Sequence, residues 1–562
     1  MKILQPLSAD ELKAILKGMA DEVKPHARDE FIKKLSPTYV PPPHRIPVDL
    51  DILDEIDSLK EDILAQGEEE PDWEHDDEDS LGEYEQFVSP LRNLFGKTAQ
   101  LFEQGYYETT EKAYQELFSI FSIENAYGHG IRTYDVEDED TDLEEARARY
   151  FRSIYMTTKE EKRVPVLLKV MTDMGNRDFQ SRPSLQEIIN ISPALLPDFT
   201  PFLQQWIEIT QTEEKPSYDA RLREATHLLH GSSGLENLAK KEGYKRPRVY
   251  LDWMQALIDA KNFTEALNAG EIALTALPED QPIRAAIGDL IALCGDSLQD
   301  EKIQQKGRWI SFKMKPDLQK LIVLYEQSHN QNYSHTSNST SLMQQAIELI
   351  EHHKENPNQQ NYESSWERDD IEKPCRPSTA LLLHAILFSG DNNKAFILAK
   401  KAQSLGWSSG DNPQPLFIAY CLINATKRSL HQLPSHLKEF WEYALKMSRD
   451  SVWYIEGDRN DISQKLEKIY GSLFEKPCPI DQDMLEWCLR ASQKRVEDIV
   501  SHQRRGAYDR AALLTAACTD TLKITNPMKA TEFFLNIQNK FPRHSAFQAE
   551  LGRINIVKSQ KL

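Results

Sequence analysis

The run HGSSG at residues 230–234 is the place in the sequence most similar to a serine-nucleophile turn. Such a nucleophile needs the pattern GxSxG and a preceding strand, which strains the turn and exposes the hydroxyl. Both features are missing here, so we interpret the run as a turn at a helix end. Glu351, His352 and His353 lack the HExxH spacing of a zinc site, and the chain has no phosphate-binding GxxxxGK run followed by Ser or Thr. We therefore predict no catalytic residues.

The spacing of the cysteines along the chain does not indicate a zinc site or a redox site. No two of the six cysteines form a CxxC motif, which zinc sites and redox sites commonly use. Cys488, beside Trp487, and Cys518, in an apolar helix, are the only nominees for a nucleophile. A thiol among apolar neighbours has a raised pKa and reacts slowly. We expect buried thiols in a reducing compartment, with no metal and no cofactor. The six positions are Cys294, Cys375, Cys421, Cys478, Cys488 and Cys518.

Two acidic runs, residues 67–79 and 135–145, supply the carboxylates that calcium binds. An EF-hand loop starts with a DxDxDG-like pattern and has glycine at its sixth position, which both runs lack. We therefore interpret both runs as solvated loops.

The charge of the chain is uneven. Residues 1–150 contain 37 acidic and 15 basic residues, which gives −22, the net charge of the whole chain. A nucleic-acid partner needs clustered Lys and Arg, so it is disfavoured for this quarter. Small basic clusters do occur elsewhere, and they keep a minor nucleic-acid role open. They comprise Lys240, Lys241, Lys245, Arg246 and Arg248, with Tyr244 and Tyr250 nearby, and separately Arg504 and Arg505.

Helical periodicity recurs along the chain, whereas alternating strand patterns and their glycine turns are absent. This predicts an all-α protein. No apolar run approaches the roughly 18 residues of a membrane-spanning helix, and the first residues do not resemble an export signal. We expect a cytoplasmic protein without membrane contact.

Four segments share one pattern, in which a turn is followed by a small residue and by a second small or apolar residue seven positions later. In three of them a Gly or Pro then ends the helix, whereas the segment at 105–118 lacks that final residue. The first two segments are residues 262–278, with Ala266, Ala273 and Pro278, and residues 390–406, with Gly390, Ala395 and Ala402. The third is residues 105–118, with Gly105 and Tyr107 at the turn and Thr110 in the first small position. The fourth is residues 530–542, with Ala530 and Pro542.

The pattern is typical of two antiparallel helices that pack closely, because residues seven apart lie on one helical face. At these residues the chain resembles the tetratricopeptide repeat family, most clearly at 262–278. The family's usual Trp, Leu-Gly and Tyr positions are mostly missing, although Gly288 fits one of them. The resemblance implies antiparallel helix pairs stacked as an α-solenoid, with an acidic helical N-terminal region.

The expected organisation follows composition along the chain. Residues 1–66 form N-terminal helices with a Pro-rich connector at 37–47, and residues 67–83 form an acidic disordered loop. A helical-repeat region at 84–325 and another at 376–562 flank a polar linker with one helix at 326–375.

Stacked helix pairs enclose a groove that commonly holds a peptide, a helix or a domain. We therefore predict a non-catalytic scaffold or adaptor that binds an unknown protein partner, and no small-molecule substrate is identifiable. Two alternatives stay open. One is an enzyme with a carboxylate or metal site in an inter-helix pocket, and the less favoured one is a nucleic-acid-associated protein.

Overall fold

The computed structural model describes most of the chain beyond residue 51. The described residues are 52–67, 84–125, 129–175, 179, 181–212, 216–330, 342–356, 376–402, 405–406, 411–450, 459–475 and 480–554. Of these residues, 80% are helical and none is in a strand, which confirms the all-α prediction for this part of the chain. The predicted helices and Pro-rich connector of residues 1–51, the acidic loop at 68–83 and most of the polar linker lie outside the described residues.

The chain divides into an N-terminal unit, Met1–Leu238, and a C-terminal unit, Ala239–Leu562. The described helices of the N-terminal unit before residue 216 are Ile52–Gly67, Glu85–Glu103, Tyr107–Ile120, Thr133–Val136, Leu143–Thr157, Glu160–Gly175, Leu185–Asn190 and Phe199–Gln211. The division falls in the helical segment Pro216–Glu242, which is broken at Gly231 (φ 63°, ψ −154°).

The described helices of the C-terminal unit include several short antiparallel pairs. They are Arg248–Asp259, Phe263–Ala276, Arg284–Ser297, Glu301–Met314, Leu318–Asn330, Leu342–Glu355, Thr379–Ser389, Asn392–Lys401, Gln414–Thr426, Ser435–Asp450, Arg459–Glu475, Gln482–Ser501, Tyr508–Thr525, Pro527–Lys540 and Ser545–Arg553. Among the described residues, no helix has both the length and the apolar composition that crossing a membrane requires.

The same turn joins five of the helix pairs. Its central residue adopts a left-handed conformation, and two backbone hydrogen bonds close it in the manner of a Schellman motif. At Lys261, for example, the Lys261 amide donates to Ile258 O and the Asn262 amide donates to Leu257 O, both at 2.8 Å. The five central residues are Gly105, Lys261, Gln299, Gly390 and Gln503. Lys261 and Gln299 accept the strain of about 1–2 kcal/mol that a side chain brings to this conformation.

The N-terminal unit is organised around the helix Leu143–Thr157, which packs against Glu85–Glu103, Tyr107–Ile120, Glu160–Gly175 and Leu185–Asn190. Asp142 caps its first turn by accepting from the Glu145 amide at 2.9 Å. Most of the helix is buried, including three arginines. A helix that is buried all round is the natural centre of a helical unit.

The C-terminal unit has two parts that differ in how their helices meet. Residues 248–314 contact one another as chain neighbours, as stacked pairs do. Farther on, Tyr508–Thr525 packs against both Gln414–Thr426 and Ser435–Asp450. An array whose pairs contact only their neighbours does not predict these long-range contacts, which close the second part into a bundle around buried central helices.

The helices Arg284–Ser297 and Glu301–Met314 approach until their backbones nearly touch. A Cβ added at Gly307 would lie 2.4 Å from Ala292 N and 2.6 Å from Gly288 O. A Cβ at Gly295 would lie 2.4 Å from Gln304 N on the partner helix. Only glycine fits at these positions while the helices keep their separation.

Gly307→Ala should destabilise the C-terminal unit by about 1–3 kcal/mol, because the new methyl group has only backbone to displace. Gly471→Ala is the matched control, since Gly471 is also helical but an added Cβ would have a single neighbour, at 4.0 Å. Alanine there should be neutral or stabilise by up to about 1 kcal/mol. Urea denaturation of both variants measures the difference. Equal stability of the two would show that the helices are not held by backbone contact at Gly307.

Candidate functional site

The candidate site is built by the two consecutive helix pairs at 248–276 and 284–314. The second helix of the first pair, Phe263–Ala276, carries four fully buried small residues: Ala266, Ala269, Gly270 and Ala273. A Cβ at Gly270 would lie 2.9 Å from Met254 Cε and 3.0 Å from Ile291 Cγ1, so this helix sits between the first helices of both pairs. Small residues allow that three-helix approach.

Burial on the first helices of the two pairs repeats at a spacing of 34 residues. Trp253, Met254 and Leu257 are buried, and so are Ile287, Gly288 and Ile291, the residues 34 positions later. The solvent-facing positions repeat in the same way, with Gln255 and Asp259 matched by Asp289 and Leu293. The second pair then has one extra helical turn, since the left-handed residues Lys261 and Gln299 are 38 apart.

These four exposed positions, together with Asp296 one turn beyond Leu293, make up one candidate binding surface, which we call the first-helix face: Gln255, Asp259, Asp289, Leu293 and Asp296. Three of the five residues are carboxylates, and Leu293 is 45% exposed. Aspartate near the C-terminal end of a helix is disfavoured by the helix dipole. Asp259 accepts a hydrogen bond from Gln255 at 2.8 Å, and Asp296 accepts one from Gln304 at 2.9 Å. The face is suited to a segment with basic and apolar side chains.

The other predicted repeat positions take varied places. Gly105 (φ 84°) and Gly390 (φ 78°) are left-handed turn residues, and the ring of Tyr107 packs edge-on against Phe102 at 5.6 Å. Ala395 and Ala530 are buried on their helices. The exposed residues Pro278 and Pro542 follow helix ends.

Two predicted copies differ from the pattern. The helix Asn392–Lys401 ends one residue before Ala402, which lies half-buried at its C-terminal cap, so Ala399 is the second buried small residue there. The copy at Ala530 follows its preceding helix after Asn526 alone, without the left-handed turn. Sequence reasoning also missed Gly270, Gly295 and Gly307, although the seven-residue spacing of Gly288 and Gly295 inside one helix is a usable signal.

The run at 230–234 lies inside the helical segment Pro216–Glu242, at its break at Gly231. The Ser233 hydroxyl donates to the carbonyl of His230 at 2.9 Å, an ordinary local helix contact.

Four cysteines that the structure describes are free and buried: Cys294, Cys421, Cys488 and Cys518. Cys421 and Cys488 contact each other from separate helices, and burial followed by the contact with Cys421 holds the pKa of Cys488 well above its usual range. Burial also raises the pKa of Cys518 to about 12. Cys488 and Cys518 therefore stay protonated and unreactive near neutral pH. Within the described part of the chain, no three His, Cys, Asp or Glu side chains are placed to hold a metal ion.

One buried polar network brings together residues from three helices. Nδ1 of His384 lies 2.7 Å from the Tyr470 hydroxyl, and Nε2 lies 3.0 Å from Ser448 Oγ. Ser448 donates to the carbonyl of Leu445 at 2.8 Å, so it accepts from Nε2–H, which leaves Nδ1 to accept from Tyr470. All three side chains are buried. The network gives both ring nitrogens of a neutral His384 a hydrogen-bond partner, and burial keeps a substrate from reaching them.

The basic clusters are partly neutralised. Arg246 is buried and pairs with Glu242 at 3.0 Å, while Arg504 shares Asp498 with Arg495 at 3.2 Å and 2.8 Å. A phosphate backbone would meet few unpaired cations at these places.

Because many of its basic side chains are buried, the N-terminal unit has a surface with a larger excess of acidic residues than its composition indicates. Six arginines in the described part of this unit are buried: Arg147, Arg149, Arg152, Arg163, Arg221 and Arg223. Among its described residues, 16 Asp and Glu side chains are exposed, against five Lys and Arg. The five are Lys112, Lys159, Lys162, Lys169 and Arg182. A basic partner surface is the complement of such a surface.

No protein-family model matches this chain, and comparisons with curated proteins and with solved structures also found no match.

Ala266→Leu should destabilise the 248–314 region by about 1–3 kcal/mol, because Ala266 is fully buried between helices. Ala276→Leu makes the same change at an exposed position of the same helix and should be near neutral. The melting temperature and hydrogen exchange across 248–314 give the readout. Unchanged exchange in Ala266→Leu would contradict a helix contact at Ala266.

His384 should stay neutral in the folded protein, because burial lowers its pKa to about 3. Its imidazole NMR signals should not titrate between pH 5 and 8. The unfolded chain takes up this proton near pH 6.5, so the contribution of His384 to stability is complete above that pH and is lost as the pH falls towards 3. Denaturant unfolding at several pH values measures this loss. A midpoint near 6.5 for His384 in the folded state would contradict the buried network.

Proposed function

We propose that this protein is a non-catalytic scaffold that binds a protein partner through tetratricopeptide-like helix pairs, in a reducing, cytoplasmic setting. The observation that carries the proposal is the 34-residue repeat of buried and exposed positions on Arg248–Asp259 and Arg284–Ser297. Repeated positions present equivalent side chains side by side, and an extended segment or a helix can contact such a surface along its length.

The partner segment that fits the first-helix face carries basic residues around an apolar side chain. Asp259, Asp289 and Asp296 supply exposed carboxylates, and Leu293 supplies apolar surface in their midst. Ion pairs at an exposed rim set register and association rate more than affinity, which comes mainly from the buried apolar anchor. Leu293 is therefore assigned the anchoring contact and the carboxylates the orientation.

The acidic N-terminal unit supports the same class of partner. Its excess of exposed carboxylates extends a negative potential that attracts a basic protein and repels an acidic one. The four described cysteines of the C-terminal unit are free and buried, which suits a compartment in which thiols stay reduced.

The test is native mass spectrometry of the full chain purified from its own cells, wild type against a variant with Asp259→Asn, Asp289→Asn and Leu293→Ser. We expect a stoichiometric protein partner whose occupancy falls at least tenfold in the variant, because the variant loses two charges and the anchor while all buried positions stay unchanged. Hydrogen exchange should show protection of the first-helix face in the complex.

The matched control replaces exposed carboxylates outside that face, Glu265→Gln and Glu279→Gln, and should retain the partner. Equal loss in the control would show that total charge, and not this face, governs binding. If the variant with the three substitutions on the first-helix face still binds the partner, the proposal that the partner binds at this face is refuted. Tight retention of a metal ion or small molecule in place of a protein would favour the enzymatic alternative.

A further inference from the structure

The segment at 193–197 of the N-terminal unit exposes an unusual run of apolar residues. Pro193, Ala194, Leu195 and Pro197 are all exposed, and Leu195 is 92% exposed. Leu196, in contrast, packs against the core of the unit. One leucine therefore points inward and fixes the segment, while its neighbour projects into solvent.

Three buried side chains hold the backbone on both sides of Leu195. The Arg152 guanidinium donates to the carbonyls of Ala194 and, at 2.7 Å, Ile188. The Tyr155 hydroxyl donates to Pro197 O at 2.6 Å, and Arg163 Nη1 donates to the same oxygen at 3.3 Å. Charge-assisted and buried hydrogen bonds of this kind are strong, so the carbonyls at 194 and 197 are fixed to the central helices.

These contacts give Leu195 a defined position before any partner arrives. Pro193 and Pro197 have fixed φ angles, which further limits the segment. Ordering a free loop on binding costs conformational entropy, and a loop already fixed by folding avoids that cost. Single exposed leucines are common on protein surfaces. A run of exposed apolar residues fixed by three buried polar side chains has the properties of a preorganised contact.

Carboxylates flank the exposed run. Asp198 follows it directly with a left-handed backbone (φ 55°), is exposed, and lies 3.5 Å from Arg163. Burial raises the pKa of Tyr155 to about 12, and the nearby carboxylates of Asp198 and Glu160 add to that rise while Arg163 opposes it. Asp198 thus adjoins the run and Glu160 lies near Tyr155, and both belong to an exposed surface dominated by acids.

We propose that residues 193–197 form a docking knob that inserts Leu195 into an apolar pocket on a folded partner protein, with Lys or Arg side chains on the pocket rim facing Asp198 and Glu160. The knob belongs to the N-terminal unit and goes beyond the first-helix face, so either surface can fail its test while the other stands.

The first arm of the experiment places the photo-crosslinking residue p-benzoylphenylalanine at position 195 of the full chain in its own cells. The same residue at Met528, 87% exposed in the C-terminal unit, is the control. We expect a protein that crosslinks from position 195 and not from position 528. Absence of such a protein overturns the proposal, and crosslinking only to a second copy of this chain overturns the choice of partner.

The second arm measures the affinity of the captured protein for the full chain. Leu195→Ser should weaken binding at least tenfold, and Met528→Ser should leave it unchanged. Asp198→Asn with Glu160→Gln removes two negative charges, so it should weaken binding at low salt and reduce the salt dependence of binding. Asparagine also tolerates the left-handed backbone at position 198, so the local structure is kept. Equal affinity of wild type and Leu195→Ser refutes the knob.

Tyr155 is a positioning residue in this scheme. Tyr155→Phe removes the hydrogen bond to Pro197 O without changing the Leu195 side chain itself. It should speed hydrogen exchange at 192–198 and weaken binding several-fold. Faster exchange with unchanged affinity would show that preorganisation does not contribute and would overturn that part of the proposal.

Discussion

The approach of paired helices to backbone contact is the constraint on which the middle of this protein depends. Between Arg284–Ser297 and Glu301–Met314, glycines leave no room for even one methyl group, and in Phe263–Ala276 alanines and Gly270 line a helix that fits between two others. Because the separation is set by backbone and not by adaptable side chains, the first helices keep a fixed orientation. That fixed orientation is what brings Asp259, Asp289 and Leu293 onto one surface.

The N-terminal unit depends on a different interaction, the burial of guanidinium groups. Arg147 forms two hydrogen bonds with Glu187 and others with Ser181, and it lies over the ring of Phe179 at 4.7 Å. A buried charge costs several kcal/mol unless hydrogen bonds replace its hydration. Arg147 and Arg152 meet this demand by donating to Glu187 and to backbone carbonyls of the irregular segments on both sides of Leu185–Asn190.

Burying these arginines also decides the character of the surface. A unit that already has an excess of acids places six of its bases inside, so the exposed charge is more negative than the composition indicates. The first-helix face in the other unit is acidic as well. Both proposed surfaces thus combine exposed carboxylates, which would steer a basic partner, with an exposed leucine, Leu195 or Leu293, which would supply an apolar contact.

The sequence by itself determined the helical class, the buried positions Ala266 and Ala273, and the glycine turns at Gly105 and Gly390. Periodicity and glycine act within one or two helical turns, so a local pattern reports them directly. The sequence also predicted a turn before residues 262–278, but not the left-handed conformation of Lys261, and no glycine marks the same turn at Gln299. The network of His384, Ser448 and Tyr470 joins residues up to 86 positions apart. Arg152 resembles a solvated charge until its helix is enclosed on all sides. Only the tertiary structure decided these features, because burial depends on which distant helices meet, and that depends on the total fit of their surfaces and not on any one segment.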